Sequence, residues 1–593
     1  MERILHAGAV KVHYQDGFIR YISSGGVEII RMINHALRDQ NWGTIPMVIS
    51  NEHIRQSEEE FQINYEGSFE KDDISYHLTC QITGSNQGTI QFTYRGKAQS
   101  EFKRNRIGFT VLHPIASCAG KPVKIINESG AESRYAFPEA ISPHQPFRDI
   151  KEMHWNPSLD ISASIYFDGD VFETEDQRNW TDASYKTYCT PLEIPFPVVV
   201  RNGDEISQQI ILKVNSGGNF NQVDLGTSHI TLSVAGEPVQ IPEWGTQANT
   251  NLPEELADKV MNIIQPKFLR VDVSLDRLAD SDLEILTYAN QKNIPVELAL
   301  FTDHSNPIES IKTMLHQLQS VTKILLFGDT SKTTPKELLD CIKKLKLLLP
   351  KVDIFGGTDA FFTELNRERV DAEELDGVTY SINPQVHAFD NQSLIETLPA
   401  QGYTVTSAKQ IYPDKKIAVS PVSFHMRWNP NATDPEKHLR TPTGWTDDRQ
   451  YSLFGACWFL FSLKYLTEAG ASSLTYFEWE GKNGWVKETA NGIGRSPILE
   501  IWSRFKFFSS LIPSSSSDPL VVDCMVFSDN EKSELIAVNW TKDVQVVELP
   551  GGYSPLLYWQ EVEGELLARK ADGASGPTYQ LPPFALLVAE KGL

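Results

Sequence analysis

Lys267-Phe-Leu-Arg-Val-Asp-Val-Ser274, Asp280-Ser-Asp-Leu-Glu-Ile-Leu-Thr-Tyr-Ala-Asn-Gln-Lys292 and Ile294-Pro-Val-Glu-Leu-Ala-Leu-Phe301 read in order as a strand, a helix and a second strand. The outer runs are short, mostly apolar and bounded by polar residues, as buried parallel strands are. The middle run opens on Asp280-Ser-Asp, a helix-start signal. The same texture continues on both sides. Strands are expected near 240–246, 267–273, 294–301, 322–328, 352–356, 377–382, 416–421 and 473–479. Helices are expected over 253–264, 280–292, 307–319, 335–348, 392–401, 447–469 and 496–511, with Thr334-Pro335 opening one of them. Eight strands with helical crossovers predict a (β/α)8 barrel of the TIM type, which fits the 236–513 span.

Outside that span the period changes. Residues 1–235 are read as all-β. Alternating runs such as Gly88-Thr-Ile-Gln-Phe-Thr-Tyr-Arg95 and Gln208-Gln-Ile-Ile-Leu-Lys-Val214 sit between Gly, Asn and Asp turns, which suggests a large β-sandwich. Pro195-Phe-Pro197 fits a strand edge or entrance. Ser514–Ser517 reads as a Ser-rich linker, and 518–593 as a small C-terminal β-sandwich. The expected fold is therefore multidomain, α/β and all-β, with a central barrel flanked by two sandwiches.

A chain of 593 residues exceeds one ordinary core. It carries 54 basic and 77 acidic side chains, a net charge of -23. That field repels phosphate backbones and anionic lipid, so nucleic acid and membrane are poor partners. Six scattered cysteines show no CxxC and read as reduced thiols. The first residues, Met-Glu-Arg-Ile-Leu-His-Ala-Gly, have no apolar signal core. A cytoplasmic location is expected, and the oligomeric state is not legible. The longest apolar run, 453–466, is broken by Lys464 and reads as a buried helix.

Barrel enzymes keep their chemistry at the C-terminal strand ends. Phe355-Gly-Gly-Thr-Asp359-Ala-Phe-Phe-Thr-Glu364 puts two glycines, Asp359 and Glu364 at one such end. Asn383-Pro-Gln-Val-His387-Ala-Phe-Asp390 follows the next strand. Its histidine suits a general base, and Asp390 either orients it or caps a helix. Phe424-His425-Met-Arg427-Trp428 supplies a cation for a carboxylate or polarised carbonyl, or a cation–π pair with Trp428. Glu478 follows the last strand. In the first domain, Glu175-Asp-Gln-Arg178-Asn-Trp180-Thr-Asp182-Ala-Ser-Tyr-Lys186-Thr-Tyr188 threads aromatics between charges. A sugar-acid site needs that mixture, and so does a buried structural salt-bridge network. The segment is expected to pack at the barrel mouth, so that Arg178, Asp182 or Lys186 faces the strand ends. No HExxH, HxH, P-loop, GxGxxG or nucleophile elbow occurs, and no metal ligand set or organic cofactor is expected.

The Glu175–Tyr188 stretch resembles a segment of bacterial D-apionate lactonases. Gly25-Gly-Val-Glu-Ile-Ile-Arg31, Asp39-Gln-Asn-Trp-Gly43, Leu112-His-Pro-Ile115 and Ile141-Ser-Pro-His-Gln-Pro-Phe147 are similar to that family too. So are Phe362-Thr-Glu-Leu-Asn-Arg367, Val386-His-Ala-Phe-Asp-Asn391 and Ser420-Pro-Val-Ser-Phe-His-Met-Arg427 in the barrel. The resemblance runs from about residue 20 to about 430; Leu474-Thr-Tyr-Phe-Glu-Trp-Glu-Gly481 departs from it. It implies hydrolysis of a small sugar lactone, D-apionolactone, to D-apionate in D-apiose catabolism.

The resemblance carries no catalytic roles with it, so these rest on chemistry. Lactone hydrolysis needs a base for water, a holder for the oxyanion and an acid for the leaving alkoxide. Glu364 and His387 follow adjacent strands, so they are expected to converge over the barrel axis. One is expected to be the base, with Arg427 or Asn383 holding the oxyanion. Arg178, Trp180, Asp182, Lys186, Asp359, His425 and Glu478 are expected to bind the substrate. Two rival readings stand: a glycoside hydrolase using Glu364 and Glu478, and a carbohydrate-binding protein without catalysis.

Overall fold

The computed structural model describes residues 3–216, 229–250, 252–433, 446–529 except 487, 490, 491 and 495, then 532–571 and 578–591. The chain divides into two compact units. One holds residues 1–178, 183–225 and 431–438; the other holds 179–182, 226–430 and 439–593.

Among the described residues, the first unit contains two antiparallel sheets of nine strands each. Alternating residues on their strands are buried, as in Ile74–Ser85 and Thr89–Ala98, because side chains on a pleated strand point to opposite faces. The two runs singled out in the sequence are neighbours: Phe92 pairs with Ile210 and Tyr94 with Gln208. Aromatics from both sheets interlock between the layers. His35 lies 4.1 Å from Tyr94, and Phe92 lies 4.8 Å from Phe109, centroid to centroid. That is the sandwich core.

The second unit contains the barrel. Its eight parallel strands are β1 (Glu243–Gln247), β2 (Phe268–Ser274), β3 (Val296–Phe301), β4 (Val321–Phe327), β5 (Asp353–Phe361), β6 (Gly377–Ile382), β7 (Lys416–Val422) and β8 (Ser473–Glu480). Each pairs with the next, and β1 pairs with β8 to close the ring. The helix Asp280–Lys292 falls where the sequence places it. Asp390 takes the capping option: its Oδ1 accepts from the backbone N–H of Ser393 at 2.9 Å. The run Leu453–Glu468 is a helix buried nearly all round, as its apolar composition demands. Its Lys464 is buried but paired, 2.9 Å from Asp523 of the C-terminal sheet.

Four expectations are corrected. Gly356 and Gly357, expected at the strand end, lie inside β5, which runs on to Phe361. Gly357 has φ +145°, and a Cβ there would stand 2.0 Å from the Thr379 carbonyl of β6. Glycine admits the neighbouring strand there. Secondly, the residues after it form a short helix, Phe362–Arg367, which is not among the expected helices. Thirdly, Ser514–Ser516 is a strand, not a linker, and pairs with Ile230–Val234. Ile230–Val234 also lies parallel to Gln545–Glu548. Val239–Gln240, taken as part of the first barrel strand, pairs instead with Ser510 and Leu511. Short alternating strands carry no label of the sheet they join, so sequence order misassigned them.

The C-terminal layers are this four-stranded sheet and a seven-stranded one, with Leu232, Val526, Leu535, Val547 and Leu587 in their shared core. All six cysteines are free and buried. No helix among the described residues is long and apolar enough to cross a membrane.

Candidate active site

A column of charge runs through the barrel interior. Near its base, Lys323 of β4 lies 3.0 Å from Glu297 of β3 and donates to Ser473 of β8 at 2.7 Å. Glu297 accepts hydrogen bonds from Ser420 of β7 and Thr475 of β8. Ser420 in turn accepts from Arg270 of β2 at 3.1 Å. Arg270, with no exposed surface, reaches Asp272 and Asp359, each at 2.7 Å. Above them, Arg427 lies 3.3 Å from Asp359 and 3.5 Å from Asp272. Gln247 donates to Asp272 at 3.1 Å. An ionised group buried alone is unfavourable by several kcal/mol, so each charge here requires the next. Burial opposes the charge on Arg270, but Asp272, Asp359 and Glu297 outweigh it and raise its pKa. Burial pushes Glu297 up, but Lys323, Ser420 and Arg270 outweigh it and hold its carboxyl below the usual range.

Glu478 tops the column at the closure seam. Its backbone pairs with Gln247, after a register shift between Gly245 and Gln247. The residue before it, Phe477, has φ +53°, a conformation rare for an aromatic residue, and Thr246 donates to its carbonyl at 3.2 Å. Asn249 donates to Glu478 Oε2 at 2.8 Å. Burial raises the Glu478 carboxyl to about 7; Arg427 opposes that, and Asp272 and Glu480 add to it. Arg427 is the cation facing this carboxyl. Its two contacts to Asp359 and Asp272 are long, and its buried Nε has no hydrogen-bond partner among the described residues.

A second cluster forms around His387. Its Nδ1 lies 2.6 Å from Asp182 Oδ2. Trp180 lies edge-on to His387 at 6.0 Å and to Phe361 at 5.3 Å, with the Arg367 guanidinium 5.7 Å from the centroid of Trp180. Asn366 donates to Asn179 at 2.9 Å. Residues 179–182 thus belong with the barrel, as the segment's polar and aromatic content suggested.

The rest of that segment does other work. Arg178 forms a two-pronged pair with Asp176, at 2.9 and 2.7 Å, and donates to the carbonyls of Pro138 and Glu139. Lys186 pairs with Glu175 at 2.6 Å. These contacts lie within the sandwich unit, so for Arg178 and Lys186 the structural salt-bridge reading describes what is seen. Asn383 accepts from the Gln385 backbone at 3.0 Å, a local turn contact. His425 is pushed down chiefly by burial. Glu364 sits in the first turn of its helix, 3% exposed at the side chain, with the Lys332 ammonium 4.0 Å away. The structure brings Asp359 to Arg427, whose charge acts on Glu478, and gathers His387, Asp182 and Trp180 into a second cluster.

Sequence reading missed Arg270, Glu297, Lys323 and Asn249. A signal for the first three was present. Arg270 and Asp272 alternate on one face of an apolar strand, and Glu297 and Lys323 each interrupt the next two strands. Charges at such positions must meet one another inside the barrel.

Residues 1–217 match the family model described as the D-apionate lactonase N-terminal domain. Residues 248–508 match the D-apionate lactonase TIM barrel domain. The chain belongs to the D-apionate lactonase family. The barrel match runs through β8, the strand expected to depart from the family. A D-apionate lactonase of Brucella anthropi is 29% identical over 515 residues, 81% of this chain and 83% of that protein. Among solved structures, a GH30 endoxylanase from Clostridium papyrosolvens C71 covers 62% of this chain and 100% of its own, at 11% identity and TM-score 0.41. A family 44 xyloglucanase of Paenibacillus polymyxa covers 61% and 99%, at 12% identity and TM-score 0.42. Both likenesses are too distant to bear on the chemistry of this lactonase-family chain.

Proposed function

We propose that this chain hydrolyses a sugar lactone, D-apionolactone, to D-apionate, with Glu478 as the proton-transfer group and Arg427 as the oxyanion holder. Family membership and the name of the Brucella relative support the substrate class. One observation carries the mechanism: the half-buried Glu478 carboxyl at the C-terminal end of the barrel accepts from Asn249 at 2.8 Å and feels the charge of Arg427, and burial raises its pKa to about 7. Such a group is poised to take a proton and return it at neutral pH.

In this reading, ionised Glu478 takes a proton from water as the oxygen bonds to the ring carbonyl carbon. The carbonyl π electrons move to oxygen, and Arg427 stabilises the anion. The ring C–O bond then breaks, and Glu478 returns the proton to the leaving alkoxide. The hydroxy acid ionises, releasing one proton per turnover. No step calls for a redox or carrier group. Glu364 and His387, the bases expected from the sequence, yield first place because only Glu478 joins the Arg427 cluster. A second reading keeps His387 as the base, since Asp182 orients its Nδ1 at 2.6 Å.

The test is turnover of D-apionolactone against other aldonolactones and nitrophenyl glycosides, with and without a chelator. Proton release from D-apionolactone above the other lactones supports the proposal. An intact lactone together with a cleaved glycoside replaces it with the glycosidase reading.

A further inference from the structure

We infer that Asn249 is a positioning residue: its side-chain amide fixes the Glu478 carboxylate at the barrel seam and favours its ionised form. The inference rests on the proton-transfer role proposed for Glu478. The chain leaving β1 follows the end of β8 residue by residue. Thr246 donates to the Phe477 carbonyl, Asn249 to the Glu478 carboxylate, and Thr250 to the Glu480 carboxylate at 3.3 Å. The indole of Trp479 donates to Thr250 at 3.4 Å. Phe477 has turned the strand into a left-handed conformation at this point. The carboxyl that follows is therefore aimed by local geometry and held by what meets it.

Asn249 is exposed, so core packing does not explain its place. Among the described residues, its side-chain amide makes this one hydrogen bond. An N–H donated to a carboxylate is charge-assisted and is weaker to the neutral acid. The charged and titratable groups facing Glu478 are Arg427, Asp272, Glu480 and Tyr451. Two of them are carboxylates that oppose ionisation. Arg427 and Asn249 favour it, and only Asn249 does so without also pairing to Asp272 and Asp359.

The test is the pH dependence of kcat/KM for lactone hydrolysis in the full chain, for wild type, Asn249→Ala, Asn249→Asp and Glu478→Gln. Losing the donor moves the acid limb up by about 0.5–1 pH unit. At one unit below the wild-type limb, kcat/KM falls by about 3- to 10-fold. Asn249→Asp, which sets a carboxylate against a carboxylate, moves the limb further the same way. At a pH below the limb, where Glu478 is protonated, the melting temperature of Asn249→Ala stays put, which a merely structural role would not predict. Infrared titration of the carboxyl stretch, with the Glu478→Gln spectrum subtracted, reads the same proton without turnover and shows the same shift. An acid limb that is abolished by Glu478→Gln yet unmoved in both Asn249 variants overturns the role of Asn249 and leaves that of Glu478. An acid limb that persists in Glu478→Gln overturns the underlying reading and this inference with it.

Discussion

The Arg270 guanidinium and the Asp359 carboxylate meet at 2.7 Å and join the second and fifth strands across the barrel interior. Neither side chain is more than 1% exposed. The pair is one rung of the column that ends at Arg427 and Glu478. Replacing Arg270 by Met takes the nearer cation from the buried Asp359 carboxylate and from the partly exposed Asp272 carboxylate, leaving them the longer contacts to Arg427. Such a change costs about 3–5 kcal/mol. The denaturation midpoint of the barrel is expected to fall accordingly. Adding Asp359→Asn to Arg270→Met restores part of the loss, because the buried charge goes with it. A double variant no more stable than the single would contradict the column.

Glu478→Gln keeps the shape of the side chain and removes its proton chemistry. Turnover is expected to fall by about 100-fold or more. Wild type should show an acid limb near pH 7, with activity rising as the carboxyl ionises, since the base form is the active one. Arg427→Met is expected to cost about as much in kcat, from the loss of oxyanion stabilisation. Arg427→Lys recovers little, since a point charge does not reproduce the fork that spans Asp359 and Asp272. Steady-state kinetics across pH read all three.

Asp182→Asn and His387→Asn separate the two readings of the base. If His387 only binds or orients substrate, both changes raise KM by more than they lower kcat. A loss of about 100-fold in kcat for His387→Asn, with Glu478→Gln nearly active, makes the Asp182–His387 pair the base.

The sandwich carries its own acid sensitivity. His35 lies among Phe69, Tyr94 and Phe109, and neither ring nitrogen has a hydrogen-bond partner among the described residues. Burial lowers its pKa to about 3. His113, packed against Trp155 and Phe137, is lowered to about 3 for the same reason. The folded pKa lies below the unfolded value, so the folded state holds the neutral ring. Its stability is complete above about pH 6.5 and drains away as pH falls toward 3. His35→Phe removes that proton uptake in an all-aromatic setting. The acid-unfolding midpoint, followed by circular dichroism, is expected to move to lower pH. A midpoint that stays or rises would show that other groups govern acid unfolding.

The barrel was legible because its strands are apolar runs separated by amphipathic helices, the pattern of a parallel sheet covered by its crossovers. The helix after β2 and the cap at Asp390 followed from local chemistry. Strand membership in the outer sheets was not legible, since Ile230–Val234 and Ser514–Ser516 join by long-range pairing. In the site, Asp359, Arg427 and Glu478 were named from strand ends. Their linkage through Arg270 was not, because a charge inside a strand is visible in sequence while its partner three strands away is not. The split of the Glu175–Tyr188 segment into a structural pair at Arg178 and a barrel contact at Asp182 depends on a turn. Thr181 makes that turn at φ +71°, which composition does not announce.

The pairing of Leu232 with Ser516 also sets an order of events during synthesis. Ile230–Val234 emerges from the ribosome roughly 280 residues before the strand that completes it. The whole barrel is made while that edge stands open. A chain released after the barrel but before Ser514 would keep the open edge and leave Lys464 without Asp523. Unpaired edges recruit other edges. The C-terminal layers are therefore a late fastening, and premature termination or proteolysis there should send an otherwise complete barrel into aggregates rather than leave a smaller working enzyme.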